Sequence, residues 1–164
     1  MIREKLSQFK EWLREHKKKL FVNALLYATI CALFFSQMRT VVIISESVPY
    51  KFCLQIYNLE PQKGDLCVLK YGNADFVKYV VGVAGDKVTN IHGEIYVNYI
   101  KVGEINEKSN LEPLENCIIP EGYVFVVGTH PGSLDSRYKK FGLIKREQLR
   151  GKAIGFWKCD EENE

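Results

Sequence analysis

Nineteen consecutive positions of this 164-residue chain, Leu20 to Met38 (LFVNALLYATICALFFSQM), lack any charged side chain. Wound into a helix at 1.5 Å per residue, such a run reaches ~28 Å, the depth of a bilayer's hydrocarbon layer. A small-x-small motif is also missing after Phe34 to Met38, and the run is longer than the apolar centre of a secretory leader. Together these absences argue against a cleaved leader and for a retained anchor.

Other absences narrow the function. No histidine or cysteine spacing typical of a metal site occurs, so neither metal nor cofactor is expected. Internal repeats are missing too. Residues 40–164 hold fifteen basic and seventeen acidic side chains, so the overall charge of +3 resides in the N-terminal tail. Nothing there supports nucleic-acid binding.

That tail, MIREKLSQFKEWLREHKKK, sets seven Lys or Arg against three Glu and places Lys17, Lys18 and Lys19 at the start of the apolar run. Basic flanks stay cytoplasmic, so the remainder of the chain is expected across the membrane. Ile2, Leu6, Phe9 and Leu13 recur at helical spacing with Trp12 beside them, which suits either a helix lying on the inner leaflet or an unstructured stub.

From Tyr50 onward helical periodicity gives way to short β-type runs between turn residues. Strands are expected over 52–57, 65–70, 75–83, 87–91, 95–97, 123–127 and 152–157, with IHGEI (Ile91 to Ile95) as a hairpin turn. The polar stretch Gly103 to Glu115 reads as a surface excursion. The expected class is mainly β: a cytoplasmic basic tail (1–19), a single transmembrane helix (20–38), a small all-β domain (39–157) and an acidic C-terminal tail (158–164). Cys53, Cys67, Cys117 and Cys159 lie beyond the anchor, where disulfides persist, and their pairing is open between one or two bridges and buried free thiols.

In DFVKYVVGV the alternation sends Phe76, Lys78 and Val80 to one face and Val77, Tyr79 and Val81 to the other, with both faces apolar except at Lys78. A lysine in a buried strand has two explanations. On an edge strand it deters aggregation and reaches water through its stem. In a closed pocket its pKa falls toward neutrality, and the free amine becomes a general base. A base needs a partner, and ISESVPYKF offers Ser45 and Ser47 just ahead of Pro49. Each serine alone suits an extended turn before proline. With Lys78 as base, either hydroxyl becomes a potential nucleophile.

Taken in order, these blocks resemble the type I signal peptidases, membrane-anchored proteases with a serine and lysine pair. Ser45-Glu46-Ser47-Val48-Pro49 is similar to the family's nucleophile block and KGDLCVL (Lys63 to Leu69) to its Gly-Asp block. KYVVGVAGDKV (Lys78 to Val88) is similar to its lysine block, and GSLDSRYKKFG (Gly132 to Gly142) to its Ser-x-Asp-Ser-Arg block. The Ser-x-Pro spacing of Ser47 and Pro49, in place of Ser-Met-x-Pro, resembles the conjugative-transfer branch that matures pilin precursors and favours a bacterial relative over an organellar one. Departures are Lys51 where that branch often has Gly, Ala84 for a proline, and His130-Pro131 for Asp-Asn.

The resemblance implies Ser47 as nucleophile, Lys78 as base and Ser45 as a side-chain donor to the oxyanion beside the Ser47 N–H. Ser133 would orient the lysine amine, and Asp135 and Arg137 would hold that loop, with no role for Ser136. It further implies a serine endopeptidase in the bacterial inner membrane, its N-terminus cytoplasmic and its catalytic domain periplasmic. The substrate would be a secretory or pilin precursor, with conjugation or secretion machinery as partner. Two alternatives remain: a Ser47, His130, Asp135 triad, and a non-catalytic docking component of a secretion or conjugation apparatus.

Overall fold

The structure, a computed structural model, describes residues 2–44 and 47–158. It comprises two compact units, Met1–Gln37 and Met38–Glu164.

The first unit is one helix, α1 (Ile2–Ser36). The chain has no proline before Pro49 and no glycine before Gly64, and these 35 residues are rich in Lys, Glu, Leu and Ala, so nothing interrupts the backbone ladder. Its Arg14–Ser36 portion is long and apolar enough to cross a membrane, and Phe21, Leu25, Leu26, Ile30 and Leu33 are all exposed. A helix apolar on every side suits a lipid surrounding. The helix stops two residues short of the expected boundary at Met38, because Met38–Val42 pairs as a strand. In the tail, Leu6 and Trp12 are exposed and Trp12 stacks on His16, while the side chains of Ile2, Phe9 and Leu13 lie outside the described residues. So do residues 159–164, including Cys159 and most of the acidic tail.

The second unit is all β apart from one 3-10 turn, Arg146–Gln148. Its strands are β1 (Met38–Val42), β2 (Tyr50–Ile56), β3 (Leu66–Tyr71), β4 (Ala74–Val83), β5 (Lys87–Ile91), β6 (Glu94–Val97), β7 (Ile100–Glu104), β8 (Cys117–Ile118), β9 (Tyr123–Val127), β10 (Ile144–Lys145) and β11 (Leu149–Lys158). They form a seven-stranded sheet in the order β1-β2-β11-β3-β4-β9-β10 and a four-stranded sheet in the order β7-β6-β5-β8. All pairs are antiparallel.

The seven expected strands are present, with ends shifted by at most three residues. The four others escaped for physical reasons. β1 continues the apolar run of α1 without a turn residue. The β6–β7 hairpin turns through Asn98 and Tyr99, both at positive φ (48° and 68°), without the glycine that usually marks such a turn. β8 and β10 are two residues each.

Three buried clusters hold the unit together. One face of the larger sheet packs Val41, Val48, Cys53, Leu66, Val68, Val77 and Ala153, and the other packs Leu69, Val80, Val124, Val126, Phe141 and Ile144. The third cluster, around Val88, Ile95, Ile119 and Phe125, joins the smaller sheet to the larger. A register shift between Val80 and Gly82 turns the end of β4 so that Val81 packs into this third cluster. Cys53, Cys67 and Cys117 are free thiols, so no bridge forms among the described cysteines.

Gly151 tests how tightly β11 is fitted. It has φ +135°, and an added Cβ would fall on the Ile56 carbonyl, whereas Gly64 at φ +92° has nothing within 4 Å. Gly151→Ala is expected to cost about 2–4 kcal/mol in a urea titration, and Gly64→Ala only the left-handed strain of about 1 kcal/mol.

Candidate functional site

β4 is an internal strand, flanked by β3 and β9, so the edge-strand explanation of Lys78 fails. Lys78 is 1% exposed, directly opposite Cys67 of β3, with its amine nitrogen 5.9 Å from the Phe76 ring centre. Burial pulls its pKa from 10.5 down to about 8; the Asp135 carboxylate works against that shift and the Arg137 guanidinium with it. Cys67 stays a neutral thiol, its pKa pushed up to about 12 by burial.

The Lys78 Nζ donates to Ser133 Oγ, and Ser133 Oγ lies 3.4 Å from Ser47 Oγ. Three side chains far apart in sequence therefore make one hydrogen-bonded chain, amine to hydroxyl to hydroxyl. Ser47 is held by its neighbours: Val48 is 1% exposed in the core below, and the Ser47 carbonyl accepts from the Thr129 N–H at 2.8 Å. A pocket of about 500 Å³ opens at these groups, lined by Ile44, Ser47, Phe76, Lys78, Ser133 and Leu134 together with His130 and Gly132.

The loop after β9 is braced by a buried ion pair. Arg137 Nε and Nη2 meet the two Asp135 oxygens at 2.8 Å each, and Asp135 Oδ2 also accepts from the Gly128 N–H at 2.8 Å. The remaining Arg137 donors reach the Ser133 carbonyl (3.3 Å) and the Glu104 carbonyl of β7 (2.7 Å). Breaking such a pair by removing one partner leaves a buried charge and costs about 3–5 kcal/mol.

All the expected site residues within the described region thus converge: Ser47, Lys78, Ser133, Asp135 and Arg137. Ser45 lies outside the described residues. Sequence reading missed Gly128, where a Cβ would collide with Ser133 Oγ and come within 2.7 Å of the Ser47 carbonyl. It also missed Thr129, and it left Ser136 without a role; here Ser136 accepts from the Val126 N–H through Oγ and donates its own N–H to the Val126 carbonyl, acting as a partner for β9. Only Gly128 carried a visible signal, as a glycine at a strand end. The stretch Gly103 to Glu115 is more than a surface excursion. Its Leu114 N–H bonds the Arg137 carbonyl, and Pro113 bridges to Tyr138.

The triad alternative does not assemble. Both Asp135 oxygens are engaged by Arg137 and Gly128, and His130 Nδ1 accepts from the Gly132 N–H at 3.0 Å, where a triad would need it to donate to a carboxylate. Among the described residues no group of three or more His, Cys, Asp or Glu is placed to hold a metal ion.

The family model for signal peptidase, peptidase S26, matches residues 13–157. Signal peptidase IB of Staphylococcus aureus strains N315 and COL is 33% identical over 123 residues, covering 61% of this chain and 63% of theirs. This chain thus spans under two thirds of the length of those relatives. The crystal structure of a signal peptidase I from Enterococcus faecalis aligns at 23% identity and a TM-score of 0.41, over 56% of this chain and 95% of that one.

Two outcomes follow from the packing. Gly128→Ala should leave the chain folded yet displace Ser133 from Ser47, abolishing any chemistry that needs their contact; the Lys78 amine signal in NMR would report the rearrangement. Lys78→Met should raise stability by up to about 3 kcal/mol at pH values below ~8, where the wild type buries a charge, and the gain should fade as pH approaches 10.5, where folded and unfolded lysine are both neutral. Paired denaturation curves across that range check the sign.

Proposed function

Because the chain belongs to the signal peptidase family, peptidase S26, we propose that it is a membrane-anchored serine endopeptidase that cuts leader peptides from exported precursors with a Ser47–Lys78 dyad. The observation that carries this reading is the buried Lys78 amine joined to Ser47 through Ser133.

Amide hydrolysis needs a deprotonated hydroxyl, an acid for the leaving amine and donors at the developing oxyanion. Neutral Lys78 takes the Ser47 proton as the hydroxyl attacks the scissile carbonyl, and Ser133 keeps the amine aimed. The ammonium so formed protonates the leaving amine, and water then releases the acyl group by the reverse transfer. The oxyanion is received by the Ser47 N–H and, by the family resemblance, by the Ser45 hydroxyl. The pocket beside Ser47, walled by Phe76, Leu134 and Ile44, suits a small apolar side chain next to the cut.

Membrane attachment is supported by the apolar Arg14–Ser36 helix, and the basic tail argues for a cytoplasmic N-terminus with the β unit across the inner membrane. On the outer face of β1, β2 and β11, Val42, Phe52 and Phe156 form a cross-strand row, with Phe52 stacked on Phe156 at 5.9 Å. Val42 and Phe156 are exposed, as expected of a surface near lipid. The finer assignment, a pilin precursor and a conjugation apparatus, rests on the Ser47-Val48-Pro49 spacing alone.

Co-expression of full-length protein with candidate precursors tests the proposal. Ser47→Ala and Lys78→Ala should abolish cleavage, and Ser45→Ala should slow it roughly 10²–10³-fold. Cleavage unchanged in Lys78→Ala would sink the dyad, and absence of cleavage of every precursor would favour the docking-component alternative. In detergent solution the rate should fall about tenfold per pH unit below ~8 and level off above it, because the neutral amine is the working form.

A further inference from the structure

A second pocket, of about 350 Å³, is lined by Arg39, Gln55, Tyr57, Lys70, Asn73, Asp75 and Arg150 and shares no residue with the one beside Ser47. It holds three cations against one carboxylate. Asp75 is turned to Arg39, its Oδ2 accepting from Nη2 at 3.4 Å, and among the described residues neither Lys70 nor Arg150 has an ion pair. Strand register builds the pocket: Arg39 pairs with Gln55 across β1–β2, Gln55 with Ala153 across β2–β11, and Lys70 with Asp75 across β3–β4.

Gln55 is 1% exposed and lines this pocket. Its Nε2 donates to the Arg150 carbonyl at 2.9 Å, which fixes the amide orientation. Its Oε1 is the one buried side-chain polar atom among the described residues that lacks a hydrogen-bond partner. Buried acceptors are rarely left unmet, so a donor from a ligand or an ordered water is expected at Gln55 Oε1. The pocket therefore asks for two features in one ligand: negative charge for Lys70 and Arg150, and a hydrogen-bond donor for Gln55.

The geometry points to a phosphodiester with a free hydroxyl, the headgroup of an anionic glycerophospholipid, as the occupant of this pocket. Guanidinium and ammonium groups suit the phosphate oxygens, and the hydroxyl supplies the missing donor. A free phosphate compound shares part of this chemistry. The lipid source rests on the membrane-anchor reading of α1: Arg39 follows Ser36 by three residues, so at about 3.3 Å per residue it lies within ~10 Å of the helix end along the chain. That keeps Arg39 at headgroup depth, where anionic lipids concentrate around basic side chains.

Native mass spectrometry of the detergent-purified full chain tests this, with three probes that share acyl chains: phosphatidylglycerol, phosphatidylmethanol (the same charge, no donor) and phosphatidylcholine. Retention of phosphatidylglycerol is expected about tenfold above phosphatidylcholine and several-fold above phosphatidylmethanol. Lys70→Gln with Arg150→Gln should bring it down to the phosphatidylcholine level. Both side chains are exposed, so the double variant should fold, and precursor cleavage by the same sample reports that it has. Lys17, Lys18 and Lys19 are present in both proteins, so the difference reads the pocket and not the tail. Unchanged retention in the double variant overturns the site. Equal retention of phosphatidylglycerol and phosphatidylmethanol overturns the role given to Gln55. Full displacement by inorganic phosphate or glycerol 3-phosphate at matched concentration overturns the lipid source. Lipid preference intact in a wild type that cleaves no precursor would count against the protease reading alone.

Discussion

A lysine amine held almost out of water on an internal strand is the constraint around which the β unit is arranged. Lowering its pKa from 10.5 to about 8 corresponds to about 3 kcal/mol of penalty on the charged form, a sizeable fraction of a small domain's whole stability. The surroundings answer that penalty in two ways. Ser133 provides a hydroxyl that pairs with the amine, and Asp135 places a carboxylate near enough to limit the shift. What remains is a group that is neutral in a useful fraction of molecules near physiological pH and has one hydroxyl already in place as its partner. Burial that would be a defect in a purely structural strand thus leaves an amine that sheds its proton far more readily than an exposed lysine, the property the proposed function uses.

Keeping Ser133 in place requires the rest of the fold. Ser133 stands on a loop, and loops drift unless braced. Here the brace is the Asp135–Arg137 pair, which reaches back to the Gly128 N–H at the end of β9 and outward to the Glu104 carbonyl of β7. The smaller sheet, which contributes none of Ser47, Lys78 and Ser133, acts on the site through this guanidinium. Gly103 leaves room for it, since a Cβ there would lie 3.2 Å from Arg137 Cδ. Gly128 does the same where Ser47, β9 and Ser133 meet. Two glycines and one ion pair convert two sheets into a single support for three side chains.

The helix and the β unit have separate chemistry, and ten residues separate Ser36 from Ser47 along the chain, so the two lie at most about 36 Å apart. Such a tether keeps the Ser47 hydroxyl near the surface that α1 is suited to enter. Under the proposed function, a precursor embedded in that surface would meet the hydroxyl at high effective concentration, which lessens the demand on substrate affinity.

Much of this was legible in the residues themselves. An uncharged run of nineteen positions announces a span, alternation with turn residues announces β structure, and an isolated lysine in an apolar strand announces either an edge or a base. Those readings depend only on local physics: periodicity, hydrophobicity and backbone preference. Choosing between an edge strand and a buried one could not be local. It depended on β4 being enclosed by β3 and β9, a pairing set by contacts tens of residues away. The same holds for Gly128, Thr129 and Ser136, whose value comes from what packs against them, and for Asn98–Tyr99, where a tertiary fit overrode the usual preference for glycine at positive φ. The chain's own chemistry determined which groups were available and which could span or strand. Three-dimensional packing alone decided that Ser47, Ser133 and Lys78 would share one pocket, because desolvation and hydrogen-bond distance are properties of neighbours in space.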